Sequence, residues 1–313
     1  MSKFSVITRK NFSESDKKRD AGLTTPDDVV RYDDLSYGNY GSWNLLDVYR
    51  PKDKEGVKLP VIVSMHGGSW VYGDKEVYQY YCMSLAERGF AVVNFTYRLA
   101  PEYKFPSSVE DIDNVLRWIY KNADTYGLDT ENVFAVGDSA GAHILGVYAD
   151  LITNESYVND LNEYYLKQDT NLNDKLNSSK LIPQDKISFR AIALNCGKYS
   201  MDEDDKANPD AKSILYDFLK NGGDEKEIDL VNVLKYITDG FPPSYIMTCY
   251  GDFLKKEAGK LVAELEEVGV PFEYHFYGNK DNPLGHVFHC NIRLEDGKKC
   301  NDDECDFFSK HID

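Results

Sequence analysis

Val133-Phe134-Ala135-Val136-Gly137-Asp138-Ser139-Ala140-Gly141-Ala142-His143-Ile144-Leu145 is the stretch whose reading decides how this chain folds. Its first residues, Val133 to Val136, form a short apolar run of the kind that makes a buried strand. That strand runs straight into Gly137-Asp138-Ser139-Ala140-Gly141, and a helix-compatible run from Ala142 to Leu145 leaves it. A serine held between two such elements sits in a sharp strand-to-helix turn, and small flanking residues let the turn close without collision. Its hydroxyl then stands clear of the sheet at a helix N-terminus. A chance glycine-serine turn would lack the strand on one side and the helix on the other.

The alternation of β and α continues in both directions, which predicts an α/β chain with a mostly parallel sheet covered by helices. Upstream, Val61 to Met65 and Phe90 to Phe95 read as buried strands; downstream, Ile192 to Leu194, Tyr245 to Thr248 and Pro271 to Tyr277 do. Leu46-Asp47-Val48-Tyr49 alternates like a half-buried strand, in an antiparallel ribbon with the segment near Tyr32 to Tyr37. Tyr78 to Arg88 reads as a helix stopped by Gly89. A second helix is capped at Ser107 or Ser108, with Val109, Ile112, Leu116 and Ile119 on one face at steps of three and four. Lys255 to Val268 is an amphipathic helix closed by Gly269, and the acidic C-terminus finishes as a helix. Two polar regions interrupt the rhythm within a single domain spanning 1–313: an insertion at 152–186 and a cap segment at 198–240. Inserted helices there could cover the site.

His66-Gly67-Gly68-Ser69-Trp70 follows directly on an apolar strand. Acyl transfer develops negative charge on the carbonyl oxygen, and backbone N–H groups must point at it. Adjacent glycines let the backbone approach that oxygen with no Cβ in the way. Gly68, with Gly67 or Ser69 beside it, would donate together with the N–H of Ala140. Together with Tyr97-Arg98-Leu99-Ala100-Pro101-Glu102 and Phe105-Pro106, these motifs resemble the signature of the hormone-sensitive-lipase-like branch of the α/β-hydrolases. The resemblance extends over roughly Trp43 to His311, with Asn154 to Lys180 unmatched. It implies the α/β-hydrolase fold with an eight-stranded sheet, a helical cap and hydrolysis of esters with modest acyl chains. Ser69 stands where the branch carries a third glycine. His66 to Trp70 and Gly137 to His143 are also similar to the arylformamidases, which hydrolyse an N-formyl amide. Arg98 and Glu102 read as a partly buried ion pair that fixes the loop beside the site.

A serine nucleophile needs a base, and the base needs an orienting acid, in the chain order Ser, Asp or Glu, His. Gly251-Asp252-Phe253-Leu254 follows an apolar strand and resembles the acid loop of the branch. An aspartate at the carboxyl end of a strand lies where open α/β sheets place their sites, so Asp252 is favoured over Glu257. Of the six histidines, His286 and His289 follow the last strand. The run His286-Val287-Phe288 resembles the His-x-Phe of the branch, which selects His286. The candidate triad is therefore Ser139, Asp252 and His286. Two other readings of the chain are an arylformamidase-like amide hydrolase and a non-catalytic, ligand-binding member of the fold of the kind the gibberellin receptor exemplifies. All three triad residues are present here, which disfavours pure binding.

A formal net charge of −17 repels phosphate backbones, so nucleic acid is not an expected partner. Neither a secretory leader nor a run of about 20 apolar residues is visible, so no membrane is expected and a cytoplasmic location is the default. The six cysteines read as free thiols of a reducing compartment. His286, His289, Cys290, Cys300 and Cys305 cluster towards the C-terminus but lack the tight spacing of structural zinc ligands. No metal and no cofactor are expected; the expected partner is a small-molecule ester.

Overall fold

Alternation along each strand assigns the side chains of the sheet to two faces. Val61, Val63 and Met65 point into one apolar cluster with Val93 and Ala135. Ile62, Val92, Phe134 and Val136 point into the other. The computed structural model describes residues 1–166, 188–201 and 208–313. Its eight strands are β1 (Val29–Ser36), β2 (Leu45–Pro51), β3 (Leu59–Met65), β4 (Ala91–Phe95), β5 (Leu128–Asp138), β6 (Ile192–Asn195), β7 (Ser244–Cys249) and β8 (Phe272–Tyr277). They form one sheet in the order β1-β2-β4-β3-β5-β6-β7-β8. The ribbon of β1 and β2 is antiparallel to its neighbours, and β4 through β8 run parallel.

Helices cover both faces, as burial of a parallel sheet requires. On one side lie α3 (Ser107–Tyr126) and α4 (Ala140–Thr153). Val109, Ile112, Leu116 and Ile119 of α3 are all buried in the first cluster, as their spacing predicts. On the other lies α2 (Lys75–Glu87), whose Tyr81 and Leu85 pack in the second cluster with Phe307 and Phe308 of the C-terminal helix. The cap of α3 differs from expectation: the N-cap residue is Pro106, Ser107 is already helical, and the Ser107 hydroxyl turns back to the Lys104 carbonyl. α2 starts earlier than its apolar pattern suggests, because the Asp74 side chain accepts from Val77 N–H and so caps it.

One element was not visible in the sequence. A leading helix, α1 (Lys3–Asp20), carries few large apolar residues and buries only Ser5 and Thr8. Polar contacts hold it: Ser2 N–H and the Ser5 hydroxyl both donate to Asp217. Asp217 belongs to a helix of the expected cap segment, Pro209–Phe218, which is followed by a shorter one at Glu225–Leu230. Of the expected insertion at 152–186, the part up to 166 includes a helix, Glu155–Leu166, and the rest lies outside the described residues. Tyr157 of that helix donates to the Leu230 carbonyl, which ties it to the Glu225–Leu230 helix.

Candidate active site

β5 delivers Ser139 at φ 52°, ψ −116°, a left-handed conformation that a serine adopts only under constraint. The constraint is visible on both sides. Ser139 N–H donates to the Asn195 carbonyl of β6 at 2.9 Å, and α4 begins at the next residue. Gly141 has to lack a side chain, since a Cβ there would lie 2.2 Å from the Met65 carbonyl oxygen of β3. The elbow therefore closes against the strand that carries the glycine-rich loop.

Asp252 sits three residues beyond the end of β7 and His286 in the loop after β8. A bridge between Gly251 and Gly285 stitches the two loops together. His286 Nδ1 lies 2.8 Å from Asp252 Oδ1, and His286 Nε2 lies 3.0 Å from Ser139 Oγ. Burial pushes the Asp252 carboxyl up, but hydrogen bonds from His286, the Leu254 N–H and the Thr248 hydroxyl outweigh it and hold the group below its usual range. A charged carboxylate at Nδ1 fixes the imidazole with its lone pair on Nε2, facing the serine. The geometry is that of a nucleophile, a base and an orienting acid.

At the end of β3, Gly68 takes φ 116°, and a Cβ there would lie 2.1 Å from the Tyr72 carbonyl oxygen. Ser69 and Trp70 follow at φ 52° and 61°. Among the described residues, the N–H groups of Gly68, Ser69 and Ala140 donate to no protein acceptor. They border the elbow as a set of free donors, the arrangement that an oxyanion requires.

A family model, BD-FAE, matches residues 46–255, from β2 to just past Asp252. The chain belongs to this family of α/β-hydrolases. It is 30% identical over 236 residues to versiconal hemiacetal acetate esterase of Dothistroma septosporum, covering 74% of this chain and 67% of that one. It is 30% identical over 145 residues to ethyl acetate hydrolase of Pseudomonas putida, covering 45% of each. Against esterase LipC of Mycobacterium tuberculosis the match is 35% over 112 residues, only 28% of that protein's length. Esterase B from Lactobacillus rhamnosis superposes with a TM-score of 0.84 over 99% of this chain and 97% of its own, at 22% identity, a likeness of fold.

In this BD-FAE chain two expectations need correction. Gly67 is not a free oxyanion donor: its N–H donates to the Tyr78 hydroxyl at 3.0 Å. The Arg98–Glu102 pair does not form. Arg98 turns into the first turns of α3 and pairs with Asp111 at 3.0 Å and Glu110 at 2.7 Å, while Glu102 faces the leading helix and pairs with Arg9 at 2.6 Å. The reason is burial: Asp111 is wholly enclosed and has to be neutralised by the cation that can reach it.

The runners-up have other partners. Glu257 accepts from the N–H groups of Tyr199 and Ser200, from the Ser200 hydroxyl and from Lys260, away from His286. His289 is enclosed beside Cys290, edge-on to Tyr81, and burial pushes its pKa down to about 3. Cys300 packs beside Tyr245 and Cys305 in the core, so the five C-terminal histidines and cysteines do not converge.

Several positioning groups of the BD-FAE site carried no sequence signal. The Tyr78 hydroxyl accepts from Gly67 N–H and donates to Asp138 at 2.7 Å, so one side chain joins the glycine loop to the elbow. Tyr97 stacks on His66 with ring centroids 4.1 Å apart and donates to the His66 carbonyl at 2.9 Å. Trp70 Nε1 donates to His143 Nδ1 at 3.1 Å, so His143 must be the Nε2–H tautomer, donating in turn to the Val231 carbonyl at 2.8 Å. Only the conspicuous run of Tyr97 to Glu102 beside the glycine motifs hinted at this scaffolding.

Proposed function

We propose that this chain hydrolyses carboxylic esters with short acyl chains through an acyl-enzyme on Ser139. His286 takes the Ser139 proton and returns it to the leaving alkoxide, Asp252 orients His286, and the N–H groups of Gly68, Ser69 and Ala140 receive the oxyanion. Water, activated by the same His286, then releases the acid. The observation that carries this reading is the continuous relay Ser139 Oγ–His286 Nε2 at 3.0 Å and His286 Nδ1–Asp252 Oδ1 at 2.8 Å. Two relatives named for acetate esters support the small acyl group. So does Trp70, a bulky ring next in sequence to Ser69 that stacks on Phe218 of the cap segment with ring centroids 4.8 Å apart. The helices of 208–240 act as a cap over the site. Six buried, unpaired thiols fit a reducing, cytoplasmic setting.

A panel of acetyl, butyryl, octanoyl, palmitoyl and feruloyl esters with N-formylkynurenine tests the reading. Acetyl and butyryl esters should be cleaved fastest, and Ser139→Ala should abolish turnover on every member. Faster palmitoyl than butyryl hydrolysis at matched solubility would overturn the acyl preference, and dominant cleavage of the formamide would replace the ester assignment with the amide one.

A further inference from the structure

Beside the acid and base, the ends of two strands carry thiols that the reaction does not use. Cys196 follows β6 in left-handed backbone at φ 46°, and Cys249 is the last residue of β7. Both are free and buried, and Cys196 Sγ lies 3.8 Å from Met247 Sδ. Cys249 Sγ also contacts the carbonyls of Leu284 and Gly285, the two residues before His286, at 3.1 and 3.2 Å. The donor atoms of Cys196, Asp252 and His286 all lie within 4.8 Å of one another.

We propose that Cys196, Asp252 and His286 form an inhibitory site for a thiophilic divalent cation such as Zn²⁺ or Cd²⁺, with solvent as the fourth ligand. A thiolate, an imidazole and a carboxylate are a ligand set that favours these ions over Mg²⁺ or Ca²⁺. Tetrahedral zinc with ordinary bond lengths spaces its donors about 3.6 Å apart, so movements of about 1 Å gather them around one ion. The Cys196 thiol proton leaves to solvent, the carboxylate binds as it stands, and the ion takes the Nδ1 lone pair of His286. The single imidazole proton then resides on Nε2. A protonated Nε2 cannot accept from Ser139, so metal binding locks the base in the unproductive tautomer. His286 is the partly exposed member of the set and provides the entry route.

This inference rests on the triad reading for its effect on turnover, but metal binding itself is measurable without turnover. Metal-free protein titrated with Cd²⁺ should develop thiolate-to-cadmium charge-transfer absorbance, absent from Cys196→Ser. Ester hydrolysis should fall as Zn²⁺ or Cd²⁺ is added and return on adding EDTA. Relative to its own uninhibited rate, the half-inhibitory concentration of Cys196→Ser should rise on the order of 10- to 100-fold. Cys196→Ala, with thermal unfolding to report its fold, removes the thiol without leaving a hydroxyl. Absorbance that survives Cys196→Ser and vanishes in Cys290→Ser would move the site to Asp138, His289 and Cys290 and overturn the proposal. Inhibition unchanged in Cys196→Ser, or not reversed by EDTA, would overturn it too. Cadmium absorbance on a protein that cleaves no ester would leave the site standing and sink the hydrolase reading instead.

Discussion

At the scale of single residues, the site separates two histidines that lie three positions apart. His286 reaches both Ser139 and Asp252, whereas His289 is enclosed with its Nδ1 unpaired. His286→Ala should therefore lose nearly all activity while folding normally. His289→Ala should keep most of its activity at a stability cost of about 2–4 kcal/mol, because it empties a packed site. Steady-state rates with urea unfolding on both variants check this, and the reverse ranking would move the base to His289. Ser139→Ala should lower turnover on the order of 10⁶-fold with an unchanged unfolding midpoint, since the left-handed backbone is held by its neighbours and not by the hydroxyl. A residual tenth of wild-type rate, free of contaminating enzyme, would end the nucleophile assignment.

At the scale of elements, the leading helix bears on the site through one cation. Arg9 donates to the carbonyls of Val71 and Ala100 at 2.6 and 2.9 Å and pairs with Glu102. Val71 follows the glycine loop directly, so Arg9 ties that loop to the Tyr97–Glu102 run from outside. The ion pair is partly exposed and its own contribution to stability is below about 1 kcal/mol. Its positional effect is larger: displacement of oxyanion donors by a fraction of an ångström costs on the order of 10-fold in rate, rising towards 100-fold at 1 Å. Arg9→Ala should lower kcat by about 10-fold with little change in KM or unfolding midpoint. An unchanged kcat would show that the loop holds its shape without the helix.

At the scale of the whole molecule, Glu304 of the C-terminal helix (Glu295–Ser309) joins parts of the chain far apart in sequence. It accepts from Tyr81 of α2 at 2.8 Å and from Asn195 of β6 at 2.6 Å. Burial pushes its pKa up to about 7 despite those hydrogen bonds. A folded pKa above the unfolded value of about 4.3 means that the native state holds the extra proton between the two. Stability from this group is therefore present below about pH 4.3, declines as pH rises towards 7 and is flat above it. Glu304→Gln carries no charge at any pH. Its stability relative to wild type should rise from pH 5 to pH 8 by on the order of 2–4 kcal/mol, read as the difference between paired urea transitions. Parallel stability profiles for the two proteins would show that Glu304 does not titrate in this range.

Much of the sheet was legible because its strands are apolar runs bounded by glycine, and the elbow because steric closure at Gly141 leaves few residue choices. The order Ser139, Asp252, His286 could be read once the strands were placed, since each residue follows the carboxyl end of its strand. The leading helix could not, because it is held by hydrogen bonds to Asp217, Val71 and Ala100 and leaves no apolar period behind. Nor could the partners of Arg98 and Gly67 be read. Local sequence offers several carboxylates and donors at similar spacing, and burial decides among them only after the chain has folded. Apolar periodicity and glycine sterics are local properties, so the sequence by itself determined the strands, the helices that cover them and the elbow. Pairing of buried polar groups depends on which elements meet, and that the tertiary structure alone decided.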